Sequence, residues 1–181
     1  NTLMAAEEPA LVIEPLNGYR TKERMPTNIG EFREPLGIPE IVKQGTDITL
    51  VSYGSTINLC EVAAQQLLEL GISIELIDVQ TLLPFDINHI IADSLEKTNR
   101  LLIVDEDVSS GGTAFMLDKI LVEQKGYNFL DSAPETMSAK DHRSAYGTDG
   151  DYFSKPNVED IVEKAYSIMY EADPTAYPSI Y

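Results

Sequence analysis

Between positions 48 and 125 short apolar runs alternate with longer amphipathic stretches, and this alternation restricts the fold more than any other feature of the sequence. Strands are expected at 48–53, 72–79 and 100–105, each an almost unbroken apolar run. Such a run suits a strand covered on both faces, where no polar side is needed. Helices are expected at 56–70, 86–97 and 112–125. Strand, helix, strand in repetition favours a parallel sheet with right-handed crossovers and a three-layer α/β/α sandwich.

Local punctuation agrees. Ser55 or Thr56 is placed to cap the first helix, and Gly71 follows its last turn. Asp86 is placed to cap the second, and Ser109 and Ser110 precede the third. A further strand is expected at 136–139, and a closing helix at 157–171 with Pro156 at its entrance. Residues 41–43 read as a short strand that turns back on the next one through Gly45. Upstream, 1–8 favours helix and 10–14 reads as a short buried strand. The stretch 15–39 is rich in proline and glycine and reads as a connecting arm.

Composition narrows the function. With 30 acidic and 13 basic side chains the formal charge is -17, so a phosphate backbone is repelled and basic protein partners fit better. No apolar run approaches the roughly 20 residues of a membrane span, so a soluble chain with no membrane partner is expected. Cys60 is the single cysteine, which rules out a disulfide framework and favours a reducing cytoplasm. The opening Asn1-Thr-Leu-Met has no basic-plus-apolar leader, so no export is expected, and its helical character without an initiator suggests a piece of something longer.

The chemistry-bearing groups are few. Tyr53-Gly-Ser-Thr56 places backbone N–H groups at a helix start, where an anion can bind, although a tight turn explains it as well. Asp105, Glu106 and Asp107, ahead of Gly111 and Gly112, fall at a strand end, either as acid and base or as an exposed acidic loop with glycines for close packing. Thr148-Asp-Gly-Asp151 lacks the alternating acids of an EF-hand, since Ala145 and Gly147 stand in their places. His142 beside Arg143 in a loop can face a substrate channel, or can be an ordinary surface pair. His89, read inside the second helix, has no carboxylate or cysteine at metal-ligand spacing. Neither a G-x-S-x-G motif nor a base for Cys60 is visible, so no catalytic nucleophile, metal ligand or cofactor ligand is assigned.

Ile77-Asp-Val-Gln-Thr-Leu-Leu-Pro-Phe-Asp86, with Gly45-Thr-Asp-Ile-Thr-Leu-Val-Ser-Tyr-Gly54 before it and Leu102-Ile-Val-Asp-Glu106 after it, resembles one family. These words are similar to the C-terminal domain of thiamine-diphosphate-dependent 2-oxo acid dehydrogenases, in the β subunit or the β half of a fused chain, within the wider transketolase C-terminal-domain superfamily. The resemblance implies a mostly parallel five-stranded sheet with one antiparallel strand, which 41–43 would supply. It implies a division into a remnant of the preceding pyrimidine-binding domain at 1–20, a connecting arm at 21–39 and the C-terminal domain at 40–181. It further implies that thiamine diphosphate and magnesium belong to the full-length enzyme and are not bound by this piece, which alone should be inert. The full-length enzyme should be a homo-oligomer acting on pyruvate or a branched-chain 2-oxo acid. This domain would serve subunit association and docking of the acyltransferase's peripheral subunit-binding domain, for which Asp105, Glu106 and Asp107 are candidate contacts, with His142 and Arg143 as candidate channel-loop residues. A deoxyxylulose-phosphate synthase or transketolase domain, or a free-standing acidic interaction domain, are the alternatives.

Overall fold

In the computed structural model, residues 1–22, 24–147 and 149–179 are described. Glu23 of the expected arm, Thr148 of the discounted calcium motif, and Ile180 and Tyr181 at the end of the 40–181 unit lie outside them. Five strands form one sheet: β1 (Glu40–Lys43), β2 (Ile48–Ser52), β3 (Ile74–Asp78), β4 (Leu101–Val108) and β5 (Glu135–Ala139), in the order β1-β3-β2-β4-β5. β1 runs antiparallel to β3, and the other three pairings are parallel. The expected antiparallel strand is therefore present, and the sheet is the mostly parallel one that the alternation implied.

The α-helices are α1 (Thr2–Ala5), α2 (Thr56–Glu69), α3 (Ile90–Thr98), α4 (Gly112–Asp118), α5 (Gly150–Ser154) and α6 (Val158–Ala172); α2 and α6 cover one face of the sheet, α3 and α4 the other. Ile48 and Leu50 of β2, Ile74 and Leu76 of β3, and Leu102 and Val104 of β4 pack with Cys60, Ala63 and Leu67 of α2 and Ile161, Ala165 and Met169 of α6. The alternate residues Val51, Ile77, Leu101 and Ile103 pack on the other side with Ile91 and Leu95 of α3 and Met116 of α4. Because successive side chains point to opposite faces, consecutive apolar residues such as Leu101–Val104 feed two cores at once. Each fully buried Leu or Ile contributes about 1.5–3 kcal/mol. Burial pushes the Cys60 thiol up to about 12 against a hydrogen bond from Ser52, so it packs as a neutral apolar group.

Topology follows from handedness. The chain moves from β2 to β3 in one direction with α2 on one face, then back across β2 to β4 and outward to β5 with α3 and α4 on the other face. Reversing direction while keeping right-handed crossovers requires this change of face.

Several expectations are corrected. The segment 10–14 forms no strand: Leu11, Val12 and Ile13 are 87%, 61% and 79% exposed. No sheet edge lies beside it to satisfy its backbone, and β-propensity acts only on a pleated surface that has a neighbour. The second helix starts at Ile90, not 86, because Asp86 and His89 adopt left-handed backbone at φ 33 and 59. His89 thus precedes the helix, while the Asp86 carboxylate still accepts the N–H groups of Ile90 and Ile91 at 2.9 Å each. Neither Ser55 nor Thr56 caps α2 with its side chain: the Ser55 hydroxyl donates to Glu106 at 2.9 Å, and the Thr56 hydroxyl is buried without a partner. The third helix becomes π-helical at Lys119–Glu123, β4 extends to Val108, and α5 was not anticipated. At α6 the cap is Asn157, whose side chain accepts the Asp160 N–H at 2.8 Å.

One turn is sterically decisive. Gly45, between β1 and β2, sits where an added Cβ would fall 2.1 Å from the Ile74 carbonyl carbon. Gly45→Ala should lower the unfolding free energy by about 1–3 kcal/mol in urea titration, as over-packing does. Gly18→Ala, whose Cβ meets its nearest atom at 4.0 Å, should leave the midpoint unchanged.

Candidate functional site

In open α/β sheets ligands settle at the carboxyl ends of the strands, where neighbouring connections leave in opposite directions. Here that point lies between β2, whose chain departs toward β3, and β4, whose chain departs toward β5. The side chains at those two strand ends bond to one another across it. Tyr53 donates its hydroxyl to Asp105 at 2.7 Å, and Ser55 donates to Glu106 at 2.9 Å. Asp105 is only 2% exposed, and its other oxygen accepts the Asp107 N–H at 3.2 Å. Burial first, then the Asp105 carboxylate, raises the Tyr53 phenol far above its ordinary value, so it stays a donor.

The glycines ahead of the third helix serve this packing. A Cβ on Gly112 would lie 2.4 Å from the Asp105 carboxylate and 2.8 Å from the Tyr53 hydroxyl, and one on Gly111 would lie 2.2 Å from Asp107. Asp107 turns inward on its own loop, accepting the N–H groups of Val108 and Gly112 at 2.8 and 3.4 Å. Of the three acids singled out in the sequence, Asp105 is internal, while Glu106 and Asp107 face solvent.

Glu106 joins three parts of the chain. Besides Ser55 it accepts Lys155 at 2.9 Å, and Lys155 also lies 4.0 Å from Asp151. Partial burial opposes its charge, but the hydrogen bonds from Lys155 and Ser55 outweigh that and hold its carboxyl below the usual range. The same bond, donated by Lys155 to Glu106, raises the Lys155 ammonium against partial burial. Sequence reasoning missed Lys155 and the pairing of Tyr53 with Asp105. Lys155 lies 49 residues from Glu106, and no local spacing signals such a partner.

At the end of β3, burial raises the Asp78 carboxyl, Glu40 and Glu34 add to the rise, and the Gln80 N–H at 3.1 Å opposes it. His142 and Arg143 lie after β5, at the same carboxyl edge of the sheet, and both are exposed. The His142 ring nitrogen Nδ1 lies 3.0 Å from the Arg143 carbonyl, and the Arg143 guanidinium stands 4.9 Å over the Tyr146 ring. At the Tyr53–Thr56 turn the Ser55 hydroxyl is taken by the Glu106 carboxylate, an anionic group already beside that helix start. Among the described residues no group of three His, Cys, Asp or Glu side chains is disposed to hold a metal ion, and no helix is long and apolar enough to cross a membrane.

Two outcomes follow. Tyr53→Phe leaves the buried Asp105 carboxylate without its hydroxyl donor and should cost about 1–3 kcal/mol of stability in urea. Glu106 has a depressed folded pKa, so its contribution is complete above the unfolded value near 4.5 and is lost as pH falls through the folded value. Glu106→Gln should therefore lower stability by less than about 1 kcal/mol at neutral pH, since the pair is half exposed. That deficit should shrink in urea titrations repeated below 4.5 and vanish once the pH lies below the depressed folded value as well.

Comparison with known proteins places this architecture. The family model "Transketolase, C-terminal domain" matches residues 37–161. The chain is 34% identical over 155 residues to the pyruvate dehydrogenase E1 component subunit beta of Acholeplasma laidlawii, covering 85% of this chain and 46% of that protein. It is 36% identical over 140 residues to the acetoin:2,6-dichlorophenolindophenol oxidoreductase subunit beta of Bacillus subtilis, covering 76% of this chain and 40% of that one. The chain thus spans about half the length of the curated relatives it matches. A solved split-gene transketolase, described as an inactive beta4 tetramer, superimposes with a TM-score of 0.62 at 20% identity over 77% of this chain and 43% of that chain, a likeness of fold. The chain belongs to the transketolase C-terminal domain family.

Proposed function

We propose that this chain is the C-terminal domain of the decarboxylating component of a 2-oxo acid dehydrogenase, and that it serves as scaffold and docking surface with the chemistry in other parts of the enzyme. The names of the relatives support the enzyme class, and their length, about twice that matched here, supports the division of labour. One structural observation carries the scaffold reading. Across the crevice where such a sheet would hold a ligand, the Tyr53 and Ser55 side chains bond instead to Asp105 and Glu106 of the chain itself. Thiamine diphosphate and magnesium belong, on this reading, to the full-length enzyme outside this chain.

The domain division follows the same reading. Residues 40–181 form the C-terminal domain, 21–39 the connecting arm and 1–20 the end of the preceding domain. Leu11, Ile13, Leu16 and Tyr19 are 72–87% exposed, as apolar side chains are when the layer that covers them is elsewhere. Of the three expected contacts for a basic acyltransferase docking domain, Asp105 is withdrawn because it is 2% exposed, and Glu106 and Asp107 are kept, on the surface of a chain whose charge is -17. His142 and Arg143 are candidates for a channel entrance on the same edge.

Assay of the full-length gene product with pyruvate, branched 2-oxo acids and sugar phosphates tests the class. Thiamine-diphosphate-dependent decarboxylation of a 2-oxo acid is expected, with no turnover by the 181-residue chain alone. Turnover of sugar phosphates only would overturn the reading. Binding of the peripheral domain should weaken severalfold between low and physiological salt, where screening shortens to about 8 Å.

A further inference from the structure

The segment whose short helix α5 the sequence does not announce also carries exposed aromatic surface. Between β5 and α6, Tyr146, Tyr152 and Phe153 are 87%, 52% and 62% exposed. Large rings left in water this way, away from the sheet, contribute nothing to the two cores. Tyr152 and Phe153 are not loosely held. They belong to α5 and meet edge to face, with ring centroids 5.9 Å apart. The Ser154 carbonyl accepts the Lys140 N–H at 2.9 Å, and Lys155 fixes the far end to Glu106.

Their surroundings are anionic. Glu159 and Asp160 occupy the first turn of α6, and both are exposed. The Asn157 side chain at the start of α6 donates to the Tyr152 carbonyl at 3.4 Å, which ties α5 to this acidic turn, and Glu159 first, with Asp160 and Glu163 adding, raises the Tyr152 phenol. Two cations of the same segment are already engaged. Lys155 faces Glu106 and Asp151, and Arg143 rests on the Tyr146 ring at 4.9 Å. That last contact shows on this same loop what the open pair lacks, a guanidinium on an aromatic face.

We infer that Tyr152 and Phe153, with Glu159 and Asp160, form a docking surface for an arginine- or lysine-bearing segment of a partner protein, whose cations stack on the rings and pair with the carboxylates. Rings supply contact area at little entropic cost, and carboxylates beside them supply the attraction and the register. The surface is distinct from Glu106 and Asp107, and the inference holds whether or not the chain belongs to a 2-oxo acid dehydrogenase.

The test is a titration of the 181-residue chain with a fluorescein-labelled arginine-rich octapeptide, read by anisotropy at about 0.15 M salt. Tyr152→Leu with Phe153→Leu keeps charge and bulk while removing the π faces, and should weaken binding about fivefold or more. Glu159→Gln should weaken it and flatten its salt dependence. Glu96→Gln, which removes the same charge from α3 on the opposite layer, should change affinity by less than about twofold, as expected for a remote exposed charge. Equal affinity of the leucine variant and the parent, or equal loss from Glu96→Gln and Glu159→Gln, overturns the inference and leaves nonspecific attraction to an acidic protein. Circular dichroism and thermal midpoints of all variants should match the parent, since every altered side chain is exposed.

Discussion

The constraint on which the structure depends is that β2 has no solvent on either face. All five of its residues are buried, so any helix layer lost from one side exposes a row of apolar side chains. One polar side chain in this strand shows how strict the requirement is. Thr49 can face α3 only because its hydroxyl meets those of Ser94 and Thr98 at 2.6 Å each. A buried hydroxyl without such partners costs free energy comparable to a lost hydrogen bond. Two covered faces, in turn, oblige the chain to alternate its helices between layers, and that produces the strand order.

The same enclosure explains the carboxyl edge. Where β2 and β4 emerge from the core, their side chains stand close and half out of water, the setting in which many α/β proteins place reactive groups. In this chain the two strand ends use that proximity on each other. A carboxylate as buried as Asp105 needs donors, and Tyr53 and the Asp107 N–H provide them. Burial and the neighbouring Asp105 carboxylate keep the Tyr53 phenol protonated, so it stays a hydrogen-bond donor to that carboxylate. Hydrogen-bond networks that hold a fold together perturb a phenol in this way as readily as reactive sites do.

What was legible in the sequence was what rests on periodicity and on nearest neighbours. Continuous apolar runs located β2, β3 and β4 because burial on both faces leaves the same signature whatever the partner. Asp86 was legible as a cap because its targets lie four and five residues away. The rest depended on distant groups. Ser55 looks like a cap until Glu106, 51 residues later, takes its hydroxyl. The segment 10–14 has a strand's composition, but a strand is a relation between two segments, and none of the described residues pairs with it. The acidic run at 105–107 reads as one feature. Strand alternation instead sends Asp105 into the interior while Glu106 stays outside, and Asp107 folds back on its own loop.

Charge and shape then divide the work of recognition. An excess of 30 acidic over 13 basic side chains sets a field that draws cationic partners from a distance, but a field of one sign over much of a surface does not choose where they land. Selection requires a place where attraction is joined to area that water leaves. At the start of α6 the acids stand beside two rings held edge to face by a short helix, with the adjoining Lys155 already bound to Glu106. Binding a cation there strips water from aromatic faces as well as from charges, a contribution that salt does not screen. Long-range encounter and short-range retention therefore rest on different atoms of the same surface and can be altered one at a time.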